Sequence, residues 1–342
     1  MVSHHATPTA RLARDTKRRL SKVSILIADP NPRTAMLVHD VLRSFGFESI
    51  YLAKDGEAAL AVLESVSIDL LLSEWDLHTT QGTRLIHHIR KQPAQSFLPA
   101  DLPAIMFTAQ SDSDSVRMAR DAGFTEFVAK PFSAHSLSVR LLQIIEHPRQ
   151  FVIAKNFVGP CRRRRTDRAD HAERRRPREA IQADADVVLM PPNRRLAKLI
   201  GEDMAARDIF SPVLIERVQQ ELMRKETEYL AWVADDIQQL ELAYDLLAQE
   251  PTNIAARQQF LATAYAIKSQ AGIFGYDMGT EVTRMLLDYF HDRRAVDPRV
   301  LQVLRMHLDT IRVVFQYKIK DSTRAVAQEL MQSLHKLVLR YA

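Results

Sequence analysis

The chain of 342 residues contains one cysteine, Cys161, and it has no apolar run near the roughly 20 residues that a membrane-spanning helix needs. A single cysteine excludes both a disulfide framework and a four-cysteine metal site, and it favours a reducing compartment. The N-terminus also lacks the apolar core of a secretory signal. We therefore expect a cytoplasmic protein without a transmembrane segment, and its length allows two domains of ordinary size.

Basic charge is concentrated in two segments of the chain. Residues 161–178 hold nine arginines against three acidic residues, and residues 1–22 hold six lysines or arginines against Asp15. The formal net charge of +5 therefore leaves a net charge of −6 on the remaining residues. We interpret residues 1–20 as a basic disordered tail, with an organellar transit peptide as the alternative, and residues 149–190 as an arginine-rich linker.

The arginine-rich linker could neutralise the phosphates of nucleic acid or of anionic lipids. However, no aromatic residues interleave with the arginines to stack on bases, and no helix-turn-helix is evident. A charge run that keeps a linker solvated is the simpler interpretation. A regulator recruited to DNA or to a membrane through this segment is therefore the weaker alternative.

Apolar strands alternate with amphipathic helices in residues 21–148. The predicted strands are Val23–Ala28, Ser49–Leu52, Ile68–Ser73, Ala104–Phe107 and Glu126–Val128. Helix starts follow them, such as Asn31 before Pro32, and Asp55. This alternation predicts a five-stranded parallel α/β sheet with helices on both faces.

Residues 191–342 are predicted to form a second, helical domain, because from Ser211 to Ala342 no strand signal survives and apolar residues recur at three-four spacing. The apolar stripes run from Leu230 to Leu247, from Phe260 to Phe274, from Leu301 to Phe315 and from Val326 to Tyr341. Helix starts are predicted at Ser211, Thr280 and Asp297. Four long stripes with short connections predict an antiparallel four-helix bundle.

Polar residues follow four of the predicted strands: Asp29 the first, Glu74 the third, Thr108 the fourth and Lys130 the fifth. In a parallel sheet the carboxyl ends of the strands meet at one edge, where ligands bind. Ile68 to Gly82, in which an apolar run stops at Glu74 and opens into a polar loop, is the centre of this candidate site.

Four segments of this half form a specific set when taken in order: ILIADPNPRT, DLLLSEWDLHTTQG, MFTA and FVAKPF. Together they resemble the receiver domain of two-component response regulators. The resemblance implies a doubly wound fold with the strand order 2-1-3-4-5. It also implies that an aspartate after the third strand accepts a phosphoryl group from a histidine kinase, with Mg²⁺ held by an acidic pair after the first strand.

Several positions of this sequence match the receiver pattern. Thr108 matches the hydroxyl residue and Lys130 the lysine that read the phosphorylated product, and Phe127 belongs to the same switch set. Asp29 matches the first acid of the metal-binding pair. These residues imply a receiver site that retains its switch.

Two positions depart from that pattern. The second acid of the pair is Pro30, which offers no side-chain oxygen, and the acceptor position is Glu74. Asp76 is a candidate for a displaced acceptor, but Asp69 lies five residues before Glu74 and Gly82 eight after, which is the family's usual spacing around its acceptor. The register therefore favours Glu74.

These departures change the expected chemistry. Mg²⁺ demands near-octahedral oxygen ligands, so the loss of a carboxylate should weaken the site, and we expect no cofactor, with Asp29 at best a weak ligand. Glu74 is one methylene longer than aspartate, and an ion pair with Lys130 could imitate the phosphorylated state. A pair that merely closes the mouth of the sheet is the equally open alternative.

The segment ATAYAIKSQAGIFGY in the helical half resembles the signature of histidine phosphotransfer domains. In that family a histidine followed three residues later by a lysine projects from a four-helix bundle. Here the histidine position holds Tyr265, Lys268 is retained, Ser269 replaces the usual glycine, and Gly275 matches the downstream glycine. A phenol with a pKa near 10 forms no phosphoramidate, so Tyr265 is predicted to anchor a docking surface instead.

None of the twelve histidines is an obvious substitute for the missing one. His291 and His307 lie near the relevant helices, but neither is followed by a lysine three residues on. We interpret both as surface or half-buried residues.

The two resemblances together predict a two-component signalling protein that acts by docking and is not an enzyme. Its expected partners are histidine kinases, receivers or phosphotransfer proteins. A phosphorylation-competent phosphorelay protein is the alternative.

Overall fold

The computed structural model describes residues 8–77, 81–93, 96–109, 113–162, 187–201, 209–291, 293, 295–321 and 325–341. These residues form two compact units. The first unit runs to Ala129 and from Ala134 to Gln219, and the second contains Lys130–Ser133 and the chain from Gln220 onward. The predicted boundary at residue 191 is therefore too early, because described residues up to Gln219 belong to the first unit.

The first unit contains a five-stranded parallel sheet with the order β2-β1-β3-β4-β5. Its strands are β1 (Ser24–Ala28), β2 (Ser49–Ala53), β3 (Leu70–Ser73), β4 (Ala104–Thr108) and β5 (Glu126–Ala129). The connecting helices are α2 (Pro32–Phe45), α3 (Gly56–Ser65), α4 (Gly82–Arg90), α5 (Ser113–Ala122) and α6 (Ala134–Glu146). The predicted α/β class and strand order are confirmed.

Local sequence signals explain where the first helices of this unit begin. The Oδ1 atom of Asn31 accepts hydrogen bonds from the backbone amides of Arg33 and Thr34, and Pro32 occupies the first helical position of α2. Asp55 caps α3 by accepting a hydrogen bond from the amide of Ala58.

Strands β3 and β4 are buried along their whole length, as the apolar runs predict.

The basic N-terminal segment is helical, which corrects the prediction of a disordered tail. Helix α1 (Pro8–Leu20) buries Thr16 and Leu20 and packs against helix α7 (Arg195–Ile200). The Nη1 atom of Arg19 donates to the carbonyl of Ile200 at 3.1 Å. The prediction of disorder relied on charge composition. Composition does not show that residues four apart, such as Thr16 and Leu20, lie on one face of a helix and can be buried together.

The predicted linker contains strands, which is a second correction. Strands β6 (Phe151–Ala154), β7 (Phe157–Pro160) and β8 (Val188–Met190) form an antiparallel sheet with the order β7-β6-β8. Phe151 is buried, and the guanidinium of Arg90 lies 5.4 Å from the centre of its ring. Short strands that are stabilised by packing rather than by a long apolar pattern leave little signal in sequence. The arginine-rich residues 163–186 lie outside the described residues.

Arg90 joins the three-stranded sheet to the rest of the first unit. Its guanidinium is buried and donates to the carbonyls of Gly123, Ala100 and Leu102. Burial lowers the pKa of Arg90 to about 9.

Helix α8 (Pro212–Met223) contains the boundary between the units. The second unit continues with α9 (Glu226–Gln249), α10 (Ile254–Ala271), a 3-10 turn (Gly272–Phe274), α11 (Asp277–Phe290), α12 (Pro298–Gln316) and α13 (Ala325–Tyr341). Helices α9 to α12 each pack against two others of this set, and α13 packs on α12 and α11. The predicted helical architecture of this half is confirmed.

Three of the four apolar stripes correspond to helices of the packed set, and the fourth does not. The third helix of the packed set is α11, which begins at Asp277 rather than at the predicted Thr280, and the stripe from Val326 to Tyr341 forms the additional helix α13. The predicted starts at Ser211 and Asp297 are observed, with Ser211 accepting from the amide of Leu214. Among the described residues, no helix is long and apolar enough to cross a membrane.

Candidate functional site

Asp29 and Glu74 lie side by side at the carboxyl edge of the sheet. Ala28 and Ser73 are register partners in β1 and β3, and the amide of Glu74 donates to the carbonyl of Ala28 at 2.8 Å. Asp29 is 4% exposed, and its Oδ1 atom accepts a hydrogen bond from the amide of Asn31 at 2.9 Å. Two carboxylates therefore stand at the edge of the sheet where the sequence predicts the candidate site.

The carboxylate of Glu74 is turned towards the backbone of its own loop. Its Oε1 atom accepts a hydrogen bond from the amide of Trp75 at 2.7 Å, and Glu74 is half-buried. The side chain of Trp75 is 9% exposed and packs in the hydrophobic core of the sheet. A charged acceptor in a short hydrogen bond is held in place more firmly than a solvated carboxylate.

Glu74, rather than Asp76, lies directly after β3, where the receiver pattern places its phosphoryl acceptor. Glu74 directly follows β3, whereas Asp76 is exposed and forms an isolated bridge with Gln81 across the loop. The amide of Gly82 donates to the carbonyl of Trp75 at 2.7 Å and closes this loop. The loop geometry is consistent with Glu74 at the centre of the site.

The switch residues of the resemblance occupy the ends of the next two strands. Thr108 is the last residue of β4, is 1% exposed, and pairs in register with Ala129 at the end of β5. Phe127 is partly buried against the core, and Lys130 is 5% exposed and follows β5 directly. Lys130 falls in the second compact unit, so the ion pair between Glu74 and Lys130 remains a prediction.

The ligand set at the sheet edge does not fit Mg²⁺ well. Position 30 is a proline, and Oδ1 of Asp29 already accepts the amide of Asn31. Within the part of the chain that the structure describes, no group of three or more His, Cys, Asp or Glu side chains could hold a metal ion. Hard cations such as Mg²⁺ need several oxygen ligands in a nearly octahedral arrangement.

Tyr265 lies half-buried on α10 and contacts His291. Its hydroxyl lies 3.3 Å from Nδ1 of His291, and the two rings are arranged edge to face with centroids 6.3 Å apart. His291 is the exposed residue that ends α11. Lys268 is half-buried one turn beyond Tyr265. Helix packing therefore places the imidazole of His291 next to the phenol of Tyr265.

The small residues of the motif have separate structural roles. Gly275 has a φ of 75° and follows the 3-10 turn, a left-handed conformation that favours glycine. A Cβ on Gly275 would have no neighbour within 4 Å. The hydroxyl of Ser269 donates to the carbonyl of Ala266 at 3.0 Å, which satisfies it within its own helix.

Comparison with known proteins identifies the class of the first unit. The family model for the response regulator receiver domain matches residues 25–142. This span contains the five-stranded sheet and the residues at its carboxyl edge. The chain belongs to the response regulator receiver domain family through this part of its sequence.

Two chemotaxis proteins are among the relatives that match the receiver part. The chain is 31% identical over 124 residues to the chemotaxis protein CheY-3 of Vibrio cholerae, which spans 36% of this chain and 92% of that protein. It is also 31% identical to the chemotaxis protein CheY of Pseudomonas aeruginosa, over 36% of this chain and 97% of that protein. A solved receiver domain of a sensor histidine kinase from Pseudomonas aeruginosa is 28% identical, with a TM-score of 0.32, covering 35% of this chain and 94% of that one.

The contacts of His291 and Arg257 are the part of this site that the sequence did not reveal. The Nη2 atom of Arg257 donates to the carbonyls of Phe290 and His291 at 2.8 and 3.0 Å. Neither residue is part of the motif around Tyr265, and 26 residues separate Tyr265 from His291. Only the packing of α10 against α11 brings them together, so no local pattern could have found them.

Proposed function

We propose that this chain is a two-component signalling protein whose receiver acts by docking to partner proteins rather than by accepting a phosphoryl group at Glu74. The observation that carries the proposal is the position of Glu74 directly after β3, with its Oε1 atom bound to the amide of Trp75. A glutamate at this position holds a negative charge near the place where a phosphorylated aspartate would hold one.

The neighbouring residues support the proposal of a receiver domain that retains its docking surface but does not carry out metal-dependent phosphorylation. Pro30 removes one metal ligand, so the receiver is proposed to work without Mg²⁺ or any other cofactor. Thr108 and Lys130 retain the side chains that read a negative charge at the acceptor position, and both are buried. We therefore propose a pseudo-receiver whose docking surface is permanently formed, with no enzymatic activity of its own.

The second unit is proposed to provide another docking surface. Tyr265 presents a large amphipathic side chain on α10, and tyrosine is enriched at the energetic centres of protein interfaces. Lys268 and Gly275 retain the positions that the phosphotransfer signature places around the docking face. The proposed partners are histidine kinases, receivers and phosphotransfer proteins, and the proposed location is the cytoplasm.

Chemical labelling tests the receiver part of the proposal. The full chain is incubated with labelled acetyl phosphate and Mg²⁺, and the product is treated with acid and with base. An acyl phosphate is destroyed by base, so we expect no base-labile label. A base-labile label that disappears in Glu74→Ala would contradict the proposal.

A capture experiment from the native cell tests docking. Wild type is compared with Tyr265→Ala, with Glu74→Gln and with the control variant Tyr317→Ala, which alters an exposed tyrosine outside both sites. We expect partners with two-component domains to be lost from the first two variants and retained by the control. Identical partner sets in all four samples would contradict docking through these surfaces.

One observation favours the alternative of a phosphorylation-competent protein, and it concerns the second unit only. The hydroxyl of Tyr265 lies within hydrogen-bond distance of the His291 imidazole, a side chain that can form a phosphoramidate.

A further inference from the structure

The three-stranded antiparallel sheet of the first unit carries a row of branched apolar side chains across its strands. Ile153 on β6 is the register partner of Val158 on β7 and of Val188 on β8. Register partners on neighbouring strands place their side chains on the same face of a sheet. Val158, Ile153 and Val188 therefore form one continuous surface, which we call the apolar row.

The apolar row is open to solvent, although the sheet is anchored on the same face. Phe151 precedes Ile153 by two residues, so both side chains point to one face, and Phe151 is buried. Ile153 is 38% exposed, Val188 is 56% exposed and Val158 is half-buried. Single apolar residues are ordinary on a protein surface, whereas exposed apolar residues that adjoin one another point to a contact surface.

Basic residues adjoin the apolar row along the chain. Lys155 is exposed in the turn between β6 and β7, two residues after Ile153. The chain that joins β7 to β8 contains residues 161–178, whose nine arginines and three acidic residues give a net charge of +6. Arg162 lies 3.2 Å from the carboxylate of Asp121, so its own charge is offset there. Both ends of this basic segment lead into strands that carry the apolar row.

The combination of aliphatic side chains and positive charge fits an anionic lipid bilayer better than a nucleic acid. Aliphatic side chains enter the boundary between headgroups and acyl chains, and a polybasic segment is attracted to anionic headgroups. Single-stranded nucleic acid is bound by aromatic side chains that stack on bases, and the apolar row contains none. A duplex is bound through its phosphates, to which an exposed valine or isoleucine contributes nothing.

Charge also argues against a second copy of this chain as the occupant of the apolar row. Two copies that met face to face would bring together two segments that each carry a net charge of +6. Like charges repel, and the repulsion is strongest where both segments approach the same interface. An anionic surface instead gains from the same charge.

We propose that the apolar row is a membrane-contact surface that holds the first unit on a bilayer containing anionic lipids. Ile153 and Val188 enter the boundary between headgroups and acyl chains, while Lys155 and the net charge of residues 161–178 supply the attraction to the headgroups. Stable attachment of a peripheral protein commonly needs two such signals together. The proposal adds a place of action to the proposed docking function and does not depend on Glu74 or Tyr265.

Co-sedimentation of the full chain with lipid vesicles tests the proposal. One set of vesicles contains phosphatidylcholine and phosphatidylglycerol in equal amounts, and the other contains phosphatidylcholine alone. We expect the chain to bind the mixed vesicles with an apparent affinity at least about tenfold higher than for phosphatidylcholine alone. Raising the salt concentration should weaken this binding. Failure to bind the mixed vesicles at low salt would overturn the membrane contact.

Substitutions to threonine test the apolar row itself. The double variant Ile153→Thr with Val188→Thr keeps branched side chains, which suit a strand, and adds hydroxyl groups that resist transfer out of water. We expect its affinity for the mixed vesicles to fall by at least about tenfold, and Val188→Thr alone to show a smaller loss. Leu189→Thr is the matched control, because Leu189 is 50% exposed on the opposite face of β8. Equal affinities of wild type, both row variants and the control would refute the apolar row.

Substitution of the four arginines at positions 162–165 by glutamine tests the contribution of charge. We expect the affinity for the mixed vesicles to fall by at least about tenfold and the preference over phosphatidylcholine alone to shrink. An unchanged affinity would contradict the attraction to anionic headgroups. The melting temperature of each variant, measured by calorimetry, should equal that of wild type.

Two further measurements distinguish the membrane from the other occupants. Tighter binding of the chain to duplex DNA than to the mixed vesicles, weakened by the arginine substitutions and not by the row substitutions, would assign the basic segment to nucleic acid and overturn the proposal. A wild-type dimer in light scattering that dissociates in the double variant would assign the apolar row to a second copy and overturn it as well. We expect neither result.

Discussion

Gly82 lies directly against the backbone of Glu74. A Cβ atom on Gly82 would overlap the carbonyl oxygen of Glu74 and would stand 2.9 Å from Oγ of Ser73. The first turn of α4 therefore packs on the end of β3. The glycine eight residues after Glu74 is therefore required by this close approach and not by a left-handed backbone conformation.

The substitution Gly82→Ala should destabilise the first unit. The new methyl group meets a backbone oxygen, which cannot rotate away as a side chain could, so either β3 or α4 must shift. We expect a loss of about 3 kcal/mol in the free energy of unfolding, measured by denaturant titration. Thr83→Ala, in the same helical turn, is the control and should change stability little. Equal effects of the two substitutions would refute the close approach.

Restoring the two acidic positions should restore metal binding. Pro30→Asp with Glu74→Asp supplies the carboxylates that the receiver pattern calls for beside Asp29. In a Trp232→Phe background, fluorescence of Trp75 should be quenched by millimolar Mg²⁺ in the double variant and not in the parent chain. The single substitution Glu74→Asp serves as the control and should show a weaker response. Quenching in the parent chain would contradict the loss of the metal site.

Removal of the N-terminal helix should destabilise the first unit. Leu20 is fully buried, and Arg19 binds the carbonyl of Ile200, so a chain that begins after residue 20 loses both contacts. A buried leucine alone is worth about 2–5 kcal/mol. We expect a lower melting temperature of the first unit by calorimetry. Deletion of residues 1–7 leaves α1 intact and should have little effect; equal effects would show that α1 does not stabilise the fold.

His307 should make the second unit sensitive to acid. Its side chain is fully buried in α12, which corrects the expectation of a surface or half-buried position. Its Nδ1–H donates to the carbonyl of Val303 at 2.8 Å, and Nε2 has no hydrogen-bond partner among the described residues. Burial lowers the pKa of His307 below its usual 6.5. Between the two pKa values the unfolded chain binds a proton that the folded chain does not, so stability falls as the pH drops below about 6.5.

Substitution of His307 by leucine separates this effect from other acid-sensitive groups. We expect the difference in melting temperature between neutral and mildly acidic buffer to be smaller in His307→Leu than in wild type. His335→Leu, at an exposed position of α13, is the matched control and should retain the wild-type difference. The same acid dependence in all three chains would show that His307 does not contribute to it.

The sequence predicted the receiver sheet well because its signals are local. Buried parallel strands are continuous apolar runs, and their helices begin at residues such as Asn31 and Asp55, whose side chains cap the helices in the structure. The residues at the ends of the strands then follow from the direction of each strand. Asp29, Glu74 and Thr108 all lie where the strand ends place them.

The sequence did not predict the helix and strands that are stabilised by packing between segments distant along the chain. Helix α1 is stabilised by residues near position 200, and strand β6 pairs with β8 across an arginine-rich stretch. Charge composition in these segments describes the solvent-facing residues and not the few buried ones, such as Leu20 and Phe151. Weak local propensity is overridden by such contacts.

What the sequence by itself determined is the identity of each group at the receiver site. No packing can give Pro30 a ligand oxygen or shorten Glu74 by a methylene, so the chemistry that we propose for this site rests on residue types alone. What only the tertiary structure decided is which groups meet. The amide that binds the Glu74 carboxylate, the approach of Gly82 to it, and the meeting of Tyr265 with His291 depend on how elements pack, because residues that are distant along the chain become neighbours only when their helices and strands bury a common core.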